Sequence, residues 1–295
     1  MRIDLFVVDG LNDFCATGNE SWNAQKKRGA LFVENADIEA QLAADMIERL
    51  TPPDQPSKLA KIHSFCDEHH KNDIAHPGFW KKPDGSHPDP FTGPVTLQDV
   101  ESHRLSPVLD GLRPRVIDYI KKLEKRGRNP LIIWPEHCLF KTWGACTYKP
   151  LADAFDMWCA RTGGWINFID KGRFPLTEHY GGFEADVPDD DHQDTKFNTK
   201  LVPDLEAADK VAWIGWAGSH CLKWTASDGI NYFTDPSTGN NDLVKKSVFF
   251  EDGSAPVVSP DPGQTKMFAQ WRKDFLDEMD RRGATITTTT AFLKG

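Results

Sequence analysis

The fold is decided by the stretch Gly215-Trp216-Ala217-Gly218-Ser219-His220-Cys221-Leu222, which follows an apolar run at 211–214 and precedes a segment with helical periodicity. This order predicts a strand, a tight turn and then a helix that begins at Cys221. The free N–H groups in the first turn of a helix carry partial positive charge, which favours a thiolate over a thiol. A cysteine in this position is a nucleophile directed into the crevice where α/β proteins bind their ligands.

The rest of the chain alternates between strand-like apolar runs and helical patterns. The predicted strands are 3–8, 58–66, 129–134, 165–170, 211–215, 247–251 and 285–289. The predicted helices are 36–50, 113–126, 150–161, 196–208, 221–230 and 264–282. Such alternation predicts an α/β fold, a three-layer α/β/α sandwich around a mostly parallel sheet of about six strands. Two stretches, 78–107 and 234–241, are predicted to be long loops, the first because it is too rich in proline for a helix.

Size and composition set further bounds. The 295 residues, 39% of them hydrophobic, predict one domain over 1–295 with a long proline-rich insertion near 78–107. The net charge of −9 argues against a nucleic-acid partner. No apolar run has the length of a membrane span, so no membrane partner is expected. The six cysteines form no regular disulfide framework, which favours reduced thiols and a cytoplasmic location.

Several chemically useful residues follow predicted strands. Right-handed crossovers place the carboxyl ends of parallel strands along one edge of the sheet. The residues expected at that edge are Asp9, Cys66 with Asp67, Trp134, Lys171 and Trp216. Their clustering predicts a functional site at this edge.

Asp9, Lys171 and Cys221 supply a carboxylate, an ammonium and a thiol at this edge. The carboxylate can take the thiol proton, the ammonium can stabilise both anions, and the sulfur can attack a carbonyl carbon, which is the chemistry of amide cleavage. Each residue also has an ordinary structural interpretation. An aspartate after a strand is commonly a turn former, and a lone buried cysteine is commonly a small core residue.

A second set of residues is typical of a metal site. Asp67, His69 and His137 offer one oxygen and two nitrogens, which suit Zn²⁺, Fe²⁺ or Mn²⁺. The alternatives are a solvated, histidine-rich loop and a thiolate site that uses Cys66 and Cys138. The thiolate site is the weaker alternative. Neighbouring side chains on an extended chain point in opposite directions, so Cys66 should not share a metal with Asp67, nor Cys138 with His137.

Four segments, in this order along the chain, resemble a known family. They are Val8-Asp9-Gly10-Leu11-Asn12-Asp13-Phe14; Asp170-Lys171-Gly172 followed by Glu178, Tyr180 and Phe183; the 215–221 stretch followed by Thr225, Ala226 and Asp228; and the 279–288 tail. With them the chain resembles the cysteine hydrolases of the isochorismatase-like superfamily, and most closely their nicotinamidase branch. The similarity extends over nearly the whole chain. It implies the isochorismatase-like fold.

The resemblance also implies roles for particular residues. The catalytic triad would be Asp9, Lys171 and Cys221, and the N–H groups of Ala217 and Cys221 would form the oxyanion hole. The peptide between Trp216 and Ala217 would be cis. The metal ligands would be Asp67, His69 and His137, with His76 as a candidate for a further ligand. Two positions depart from the family pattern: Leu11 stands where a glutamine or similar polar residue is usual, and Gly218 where threonine is frequent.

The implied function is a metal-containing amidohydrolase that converts nicotinamide to nicotinate and ammonia through a thioester on Cys221. Its cofactor would be a divalent metal ion, with Zn²⁺ as the first candidate, and its partner would be a small-molecule amide substrate. Phe14, Trp80 and Trp216 are candidates for packing against the substrate ring. The alternatives are a related amidase for another small amide or carbamoyl substrate, and a non-catalytic protein that binds a small molecule. Relatives are frequently dimers or tetramers, which leaves a homo-oligomer open.

Overall fold

The computed structural model describes residues 1–235, 237 and 242–294, so the predicted loop 234–241 lies mostly outside the described residues. The strands are β1 (Ile3–Val8), β2 (Leu59–Asp67), β3 (Trp80–Lys81), β4 (Ser106–Pro107), β5 (Asn167–Lys171), β6 (Lys210–Gly215), β7 (Ser247–Phe250) and β8 (Thr285–Thr287). The α-helices are α1 (Asn12–Cys15), α2 (Ala36–Leu50), α3 (Leu97–Glu101), α4 (Arg113–Arg126), α5 (Lys149–Thr162), α6 (Val202–Ala207), α7 (Cys221–Thr234), α8 (Leu243–Lys246) and α9 (Pro262–Arg281).

Six of these strands form a parallel sheet in the order β5-β2-β1-β6-β7-β8. In the centre, Val8 pairs with Phe65 on one side and with Gly215 on the other. Asp67 pairs with Lys171 at the end of β2 and β5. β2 and β5 lie on one side of β1, and β6, β7 and β8 lie on the other. The strand order therefore reverses at β1, and such a topological switch point opens a crevice at the carboxyl ends of the strands.

Helices cover the sheet. β1 and β7 are buried along their whole length, which requires cover on both faces. The predicted α/β/α sandwich with about six mostly parallel strands is confirmed. Most predicted helices lie where their periodicity places them, and α2 and α4 have the predicted bounds. Within the described ranges, no helix combines the length and apolarity needed to cross a bilayer.

The predicted helix 196–208 is wrong in extent, because only Val202–Ala207 is α-helical. Pro203 lies in the first turn of this short helix. Proline lacks an N–H donor and has a fixed φ, so it begins a helix more readily than it continues one. The residues before it form a single 3₁₀ turn, Thr199–Leu201.

The stretch 78–107, predicted to be a long loop, is partly regular. It contains α3 and the antiparallel ribbon of β3 and β4. α3 begins with a capping box between Thr96 and Asp99, and no proline lies within its turns. The apolar side chains of the stretch pack with α4 in a second core, separate from the core around the sheet, and include Phe79, Trp80, Val95, Val100 and Leu105.

The prediction of a sheet strand at 129–134 is also wrong. Ile133 donates its N–H to Thr92 O (2.9 Å) and accepts from Phe91 N (2.6 Å), so the segment pairs with the 78–107 stretch. β5 takes the place beside β2. Ile133 enters the second core and Ile132 the main core, which gives the segment the apolar composition of a buried strand. Trp134 is therefore not a strand end of the sheet.

Candidate active site and metal centre

The three residues predicted to be catalytic meet at the carboxyl edge of the sheet. Lys171 Nζ lies 2.9 Å from Asp9 Oδ2 and 3.6 Å from Cys221 Sγ. It also lies 2.8 Å from Asp67 Oδ1 and donates to His179 O at 3.2 Å. All these side chains are buried. One enclosed site therefore holds an acid, an ammonium and a thiol within reach of one another.

The backbone explains how these groups are brought together. Asp9 directly follows β1 and has a φ of 56°, in the left-handed region that non-glycine residues rarely adopt. Its Oδ1 accepts a hydrogen bond from Asp67 N at 3.1 Å, across the end of β2. Cys221 begins α7, six residues after β6 ends at Gly215. Parallel register therefore brings together residues that are far apart in sequence.

Burial dominates the protonation of this group. It raises the pKa of Asp9 to about 7, although the Lys171 ammonium opposes the shift. It also raises the pKa of the Cys221 thiol, again against the effect of Lys171. Lost solvation therefore opposes the thiolate that the helix N-terminus is expected to favour. Burial lowers the pKa of Lys171, but Asp67 and Asp9 outweigh it and the net pKa is raised.

The predicted metal ligands Asp67, His69 and His137 lie together beside this group, and their ligand atoms are within 4.8 Å of one another. Asp67 Oδ1 is 3.3 Å from His69 Nε2, and Asp67 Oδ2 is 3.7 Å from His137 Nε2. A divalent cation with ligands at about 2.0–2.2 Å spaces its ligand atoms by roughly 3–4 Å. The donor set and its spacing therefore fit such a cation.

The protein also holds the other nitrogen of each imidazole. His69 Nδ1 lies 3.3 Å from Asp73 Oδ2, and His137 Nδ1 lies 2.8 Å from Pro135 O. When Nδ1 donates, Nε2 presents its lone pair, and both Nε2 atoms face Asp67. Sequence reasoning missed Asp73, whose spacing of four residues from His69 was the available signal.

His76, the candidate for a further ligand, lies behind His137. Its Nε2 is 3.2 Å from His137 Nδ1, and its Nδ1 is 3.2 Å from His70 O. Within the residues that the structure describes, it does not join the group formed by the other three ligands.

A small cavity opens beside Cys221. Asp67 and His137 line part of it. The remaining walls are largely aromatic and apolar, and include Phe14, Leu31, Trp134, Tyr180, His220 and Val257. Such a mixture suits a small flat molecule that carries a few polar atoms.

Of the three residues predicted to pack against a substrate ring, only Phe14 lines this cavity among the residues described. Trp80 is buried in the second core, where its Nε1 donates to Ile74 O at 2.7 Å. The Trp216 side chain is buried beneath the turn, and its Nε1 donates to Glu39 Oε2 at 2.8 Å. Both predictions are corrected, because an aromatic residue of a loop or turn fills a core as readily as it lines a cavity.

The turn before Cys221 has the predicted cis peptide between Trp216 and Ala217. Ala217 and Cys221 both line the cavity. Within the described part of the chain, neither backbone N–H is used in a hydrogen bond. These N–H groups are therefore available as donors beside the thiol.

The two departures from the family pattern have structural settings. A Cβ at Gly218 would lie 2.1 Å from Ser254 O, so a threonine does not fit this turn without movement. Leu11 is buried, and its backbone forms an antiparallel bridge with Thr147. Neither residue is among those that line the cavity in the described structure.

Sequence reasoning also missed Asp13, which ties together three parts of the site. Its Oδ2 accepts from Cys138 N at 2.7 Å, next to a metal ligand, and its Oδ1 accepts from Ala30 N at 3.0 Å, next to the cavity wall at Leu31. A Cβ at Gly144 would lie 1.9 Å from the same carboxylate. The conjunction of these contacts is visible only in three dimensions.

No protein-family model matches the chain, and no curated protein matches it in sequence. Among solved structures, it is similar to the yeast nicotinamidase Pnc1p bound to the inhibitor nicotinaldehyde, with 17% identity, a TM-score of 0.58 and coverage of 98% of this chain and 100% of that one. It is similar to a nicotinamidase/pyrazinamidase of Acinetobacter baumanii, with 17% identity, a TM-score of 0.58 and coverage of 99% and 98%.

It is also similar to an isochorismatase-like hydrolase from Alkaliphilus metalliredigens, with 13% identity, a TM-score of 0.50 and coverage of 100% and 98%. Similarity at this level of identity concerns the fold. The chain has the fold of the isochorismatase-like hydrolases and nicotinamidases over nearly its whole length, as the sequence motifs predict.

Proposed function

We propose that this chain hydrolyses the carboxamide of a small heteroaromatic amide, nicotinamide being the first candidate, through a thioester on Cys221. The observation that carries the proposal is the position of Lys171 Nζ, 2.9 Å from Asp9 Oδ2 and 3.6 Å from Cys221 Sγ. The fold neighbours named nicotinamidases support the choice of substrate. The aromatic cavity walls support a flat ring.

In the first half-reaction, the Cys221 sulfur attacks the carbonyl carbon while Asp9 takes the thiol proton. A raised thiol pKa suits this order, because the proton moves as the bond forms. The N–H groups of Ala217 and Cys221 would hold the developing oxyanion. Asp9 then gives the proton to the amide nitrogen, the C–N bond breaks, and ammonia leaves a thioester.

In the second half-reaction, a water attacks the thioester carbon and Asp9 takes a proton from it. The C–S bond breaks, and the Cys221 sulfur regains a proton from Asp9. The product is the carboxylic acid, and the enzyme returns to its starting state. Lys171 stabilises the anionic partners in both halves.

Asp67, His69 and His137 would hold a divalent cation, zinc being the first candidate by ligand type. When bound, that cation would supply a positive charge and open coordination positions for a polar atom of the substrate. Asp67 also contacts Lys171, so the same carboxylate faces both the cation site and the triad.

The test is release of ammonia and nicotinate from nicotinamide, measured with metal-stripped protein and after reloading with Zn²⁺, Fe²⁺ or Mn²⁺. Cys221→Ala is expected to abolish turnover while nicotinamide binding, measured by calorimetry, persists. Cys146→Ala, at an exposed free cysteine, is the matched control and should keep full turnover.

Turnover by Cys221→Ala would overturn the nucleophile assignment. Release of ammonia from a different small amide, without activity on nicotinamide, would retain the reaction and replace the substrate. Binding without turnover of any amide or carbamoyl compound by the wild-type protein would indicate a non-catalytic binding protein.

A further inference from the structure

The turn that carries the Ala217 N–H is tied to helix α2 by Glu39. Glu39 is 9% exposed and lies near the start of α2. Its Oε2 accepts a hydrogen bond from Trp216 Nε1 at 2.8 Å and another from Ala255 N at 2.9 Å. One buried carboxylate oxygen therefore joins two segments, the turn before the nucleophile and the segment at Ala255.

A third hydrogen bond closes a ring around the turn. Gly218 N donates to Ala255 O at 2.9 Å. Trp216, directly before Ala217, is held by Glu39 itself. Gly218, directly after Ala217, is held through Ala255. The peptide groups on both sides of Ala217 are therefore linked to the same carboxylate, and this fixes the direction of the Ala217 N–H.

The packing around the turn shows what the carboxylate prevents. A Cβ on Gly218 would lie 2.1 Å from Ser254 O, so the turn lies close against the neighbouring segment. Arg272 Nε, on α9, donates to the same Ser254 O at 2.7 Å and holds that segment in place. Without the carboxylate, the buried N–H groups of Trp216 and Ala255 would lose their acceptor. Unpaired buried donors are costly, so the turn would shift to satisfy them.

We propose that Glu39 is a positioning residue for the oxyanion hole, because its carboxylate fixes the turn that carries the Ala217 N–H. This inference rests on the proposed amide hydrolysis. Glu39 is not among the described residues that line the cavity, so its effect reaches the substrate through the turn. A preorganised donor stabilises the developing oxyanion more than the ground-state carbonyl, so the effect falls on the transition state and not on substrate binding.

The first measurement separates kcat from KM. Glu39→Ala is expected to lower kcat for nicotinamide by about 10–100-fold, because a misplaced oxyanion donor loses most of its effect. KM is expected to stay within about threefold, since the lost interaction is made only in the transition state. Glu39→Gln keeps an oxygen acceptor for both N–H groups and is expected to keep kcat within about threefold of wild type. Initial rates of ammonia release over a range of nicotinamide concentrations give these numbers.

Nicotinaldehyde probes the oxyanion hole without turnover. The Cys221 sulfur adds to the aldehyde carbon, the carbonyl oxygen becomes an oxyanion, and the thiol proton passes to Asp9. Glu39→Ala is expected to raise the inhibition constant of nicotinaldehyde by about the factor by which kcat falls. The Kd of nicotinamide, measured by calorimetry in a Cys221→Ala background, is expected to be the same with and without Glu39→Ala.

Two tryptophan variants supply an independent test and its control. Trp216→Phe keeps a ring beneath the turn and removes one N–H of the hydrogen-bonded ring, so kcat is expected to fall by about fivefold. Trp158→Phe makes the same change where a buried indole donates to Leu59 O at 3.3 Å, at the start of β2 and far from its catalytic end. It is expected to keep kcat within about twofold. Circular dichroism and a thermal melt show that each variant is folded, and Trp216→Phe provides the test if Glu39→Ala is not.

Wild-type kcat and a wild-type inhibition constant for nicotinaldehyde in a folded Glu39→Ala or Trp216→Phe would overturn this proposal and leave the proposed function standing. A rise in KM alone, no recovery of kcat in Glu39→Gln, or an equal loss of kcat in Trp158→Phe would also overturn it. Absence of any amide turnover by the metal-loaded wild type would overturn the proposed function, and the role of Glu39 with it.

Discussion

Lys171 and Arg128 are both buried cations that lie among carboxylates, with side chains 1% and 3% exposed. Arg128 contacts Asp228 at 2.9 and 3.1 Å and Glu184 at 2.9 Å. Its guanidinium carbon Cζ also lies over the Trp224 ring, 4.5 Å from the ring centroid. The planar fork uses its donors on fixed partners, which is typical of a structural ion pair.

The Lys171 ammonium has a different setting. It is a point charge between two carboxylates, 2.9 Å from Asp9 and 2.8 Å from Asp67, and it also faces the Cys221 sulfur. Cys221 and Asp67 line the cavity that the metal ligand His137 also lines, whereas Arg128, Glu184 and Asp228 line a different pocket. The comparison teaches that a buried cation among carboxylates is not by itself a reactive site, because the Lys171 cluster also faces a nucleophilic sulfur, whereas Arg128 holds carboxylates.

The sharpest test of this comparison is Lys171→Met, which keeps the volume and removes the charge. Amide hydrolysis is expected to fall by about 10³-fold or more, because the anions of both half-reactions lose their cation. The unfolding free energy is also expected to fall, by about 3–5 kcal/mol, because Asp9 and Asp67 lose their buried partner. Initial rates of ammonia release and denaturant unfolding give the two numbers.

Arg128→Met is the matched variant for the other cluster. It leaves the buried Asp228 and Asp186 without their cation, while Glu184 keeps Arg126, so a loss of about 3–5 kcal/mol in unfolding free energy is expected here too. Activity of the folded fraction is expected to stay within about threefold of wild type, because the ion pairs of Arg128 are with Glu184, Asp186 and Asp228 and not with the triad or the metal ligands. Urea unfolding and ammonia release check both expectations.

Arg128→Lys refines this test, because lysine keeps the charge and loses the planar fork of donors that contacts Asp228 and Glu184. It should lie between wild type and Arg128→Met in stability. If Arg128→Met instead lowered activity as much as Lys171→Met, the division into a structural and a reactive cluster would be wrong.

The part of the fold that sequence predicts is the part that short-range periodicity encodes. Strand and helix patterns place Asp9, Lys171 and Cys221 at the ends of their elements, and parallel register brings those ends together. The segment 129–134 shows the limit of this reasoning. It has the composition of a buried strand, but its backbone partner lies near 91–95, a pairing set by tertiary packing.

The cavity walls show the same limit at the level of side chains. Phe14 and Trp80 have similar apolar character in the sequence, but one lines the cavity and the other fills the second core. The orientation of His220 depends on rings that come from distant segments. Motifs identify the reacting groups, and only packing identifies what surrounds them.

The smallest expected effect is a change in metal affinity when Asp73 is replaced. The carboxylate of Asp73 faces a histidine rather than a cation, because its Oδ2 lies 3.3 Å from His69 Nδ1. Asp73→Asn should lower the affinity for Zn²⁺ by about 10–100-fold, because the amide holds the imidazole less well and leaves Nε2 less basic. Competition with a chelating indicator measures this without any substrate. Asp153→Asn, at an exposed carboxylate paired with Lys149, should leave the affinity unchanged. Equal affinity in both variants would mean that Asp73 supports the fold and not the metal ligand, and its contact with His69 would then belong with the structural pairs around Arg128.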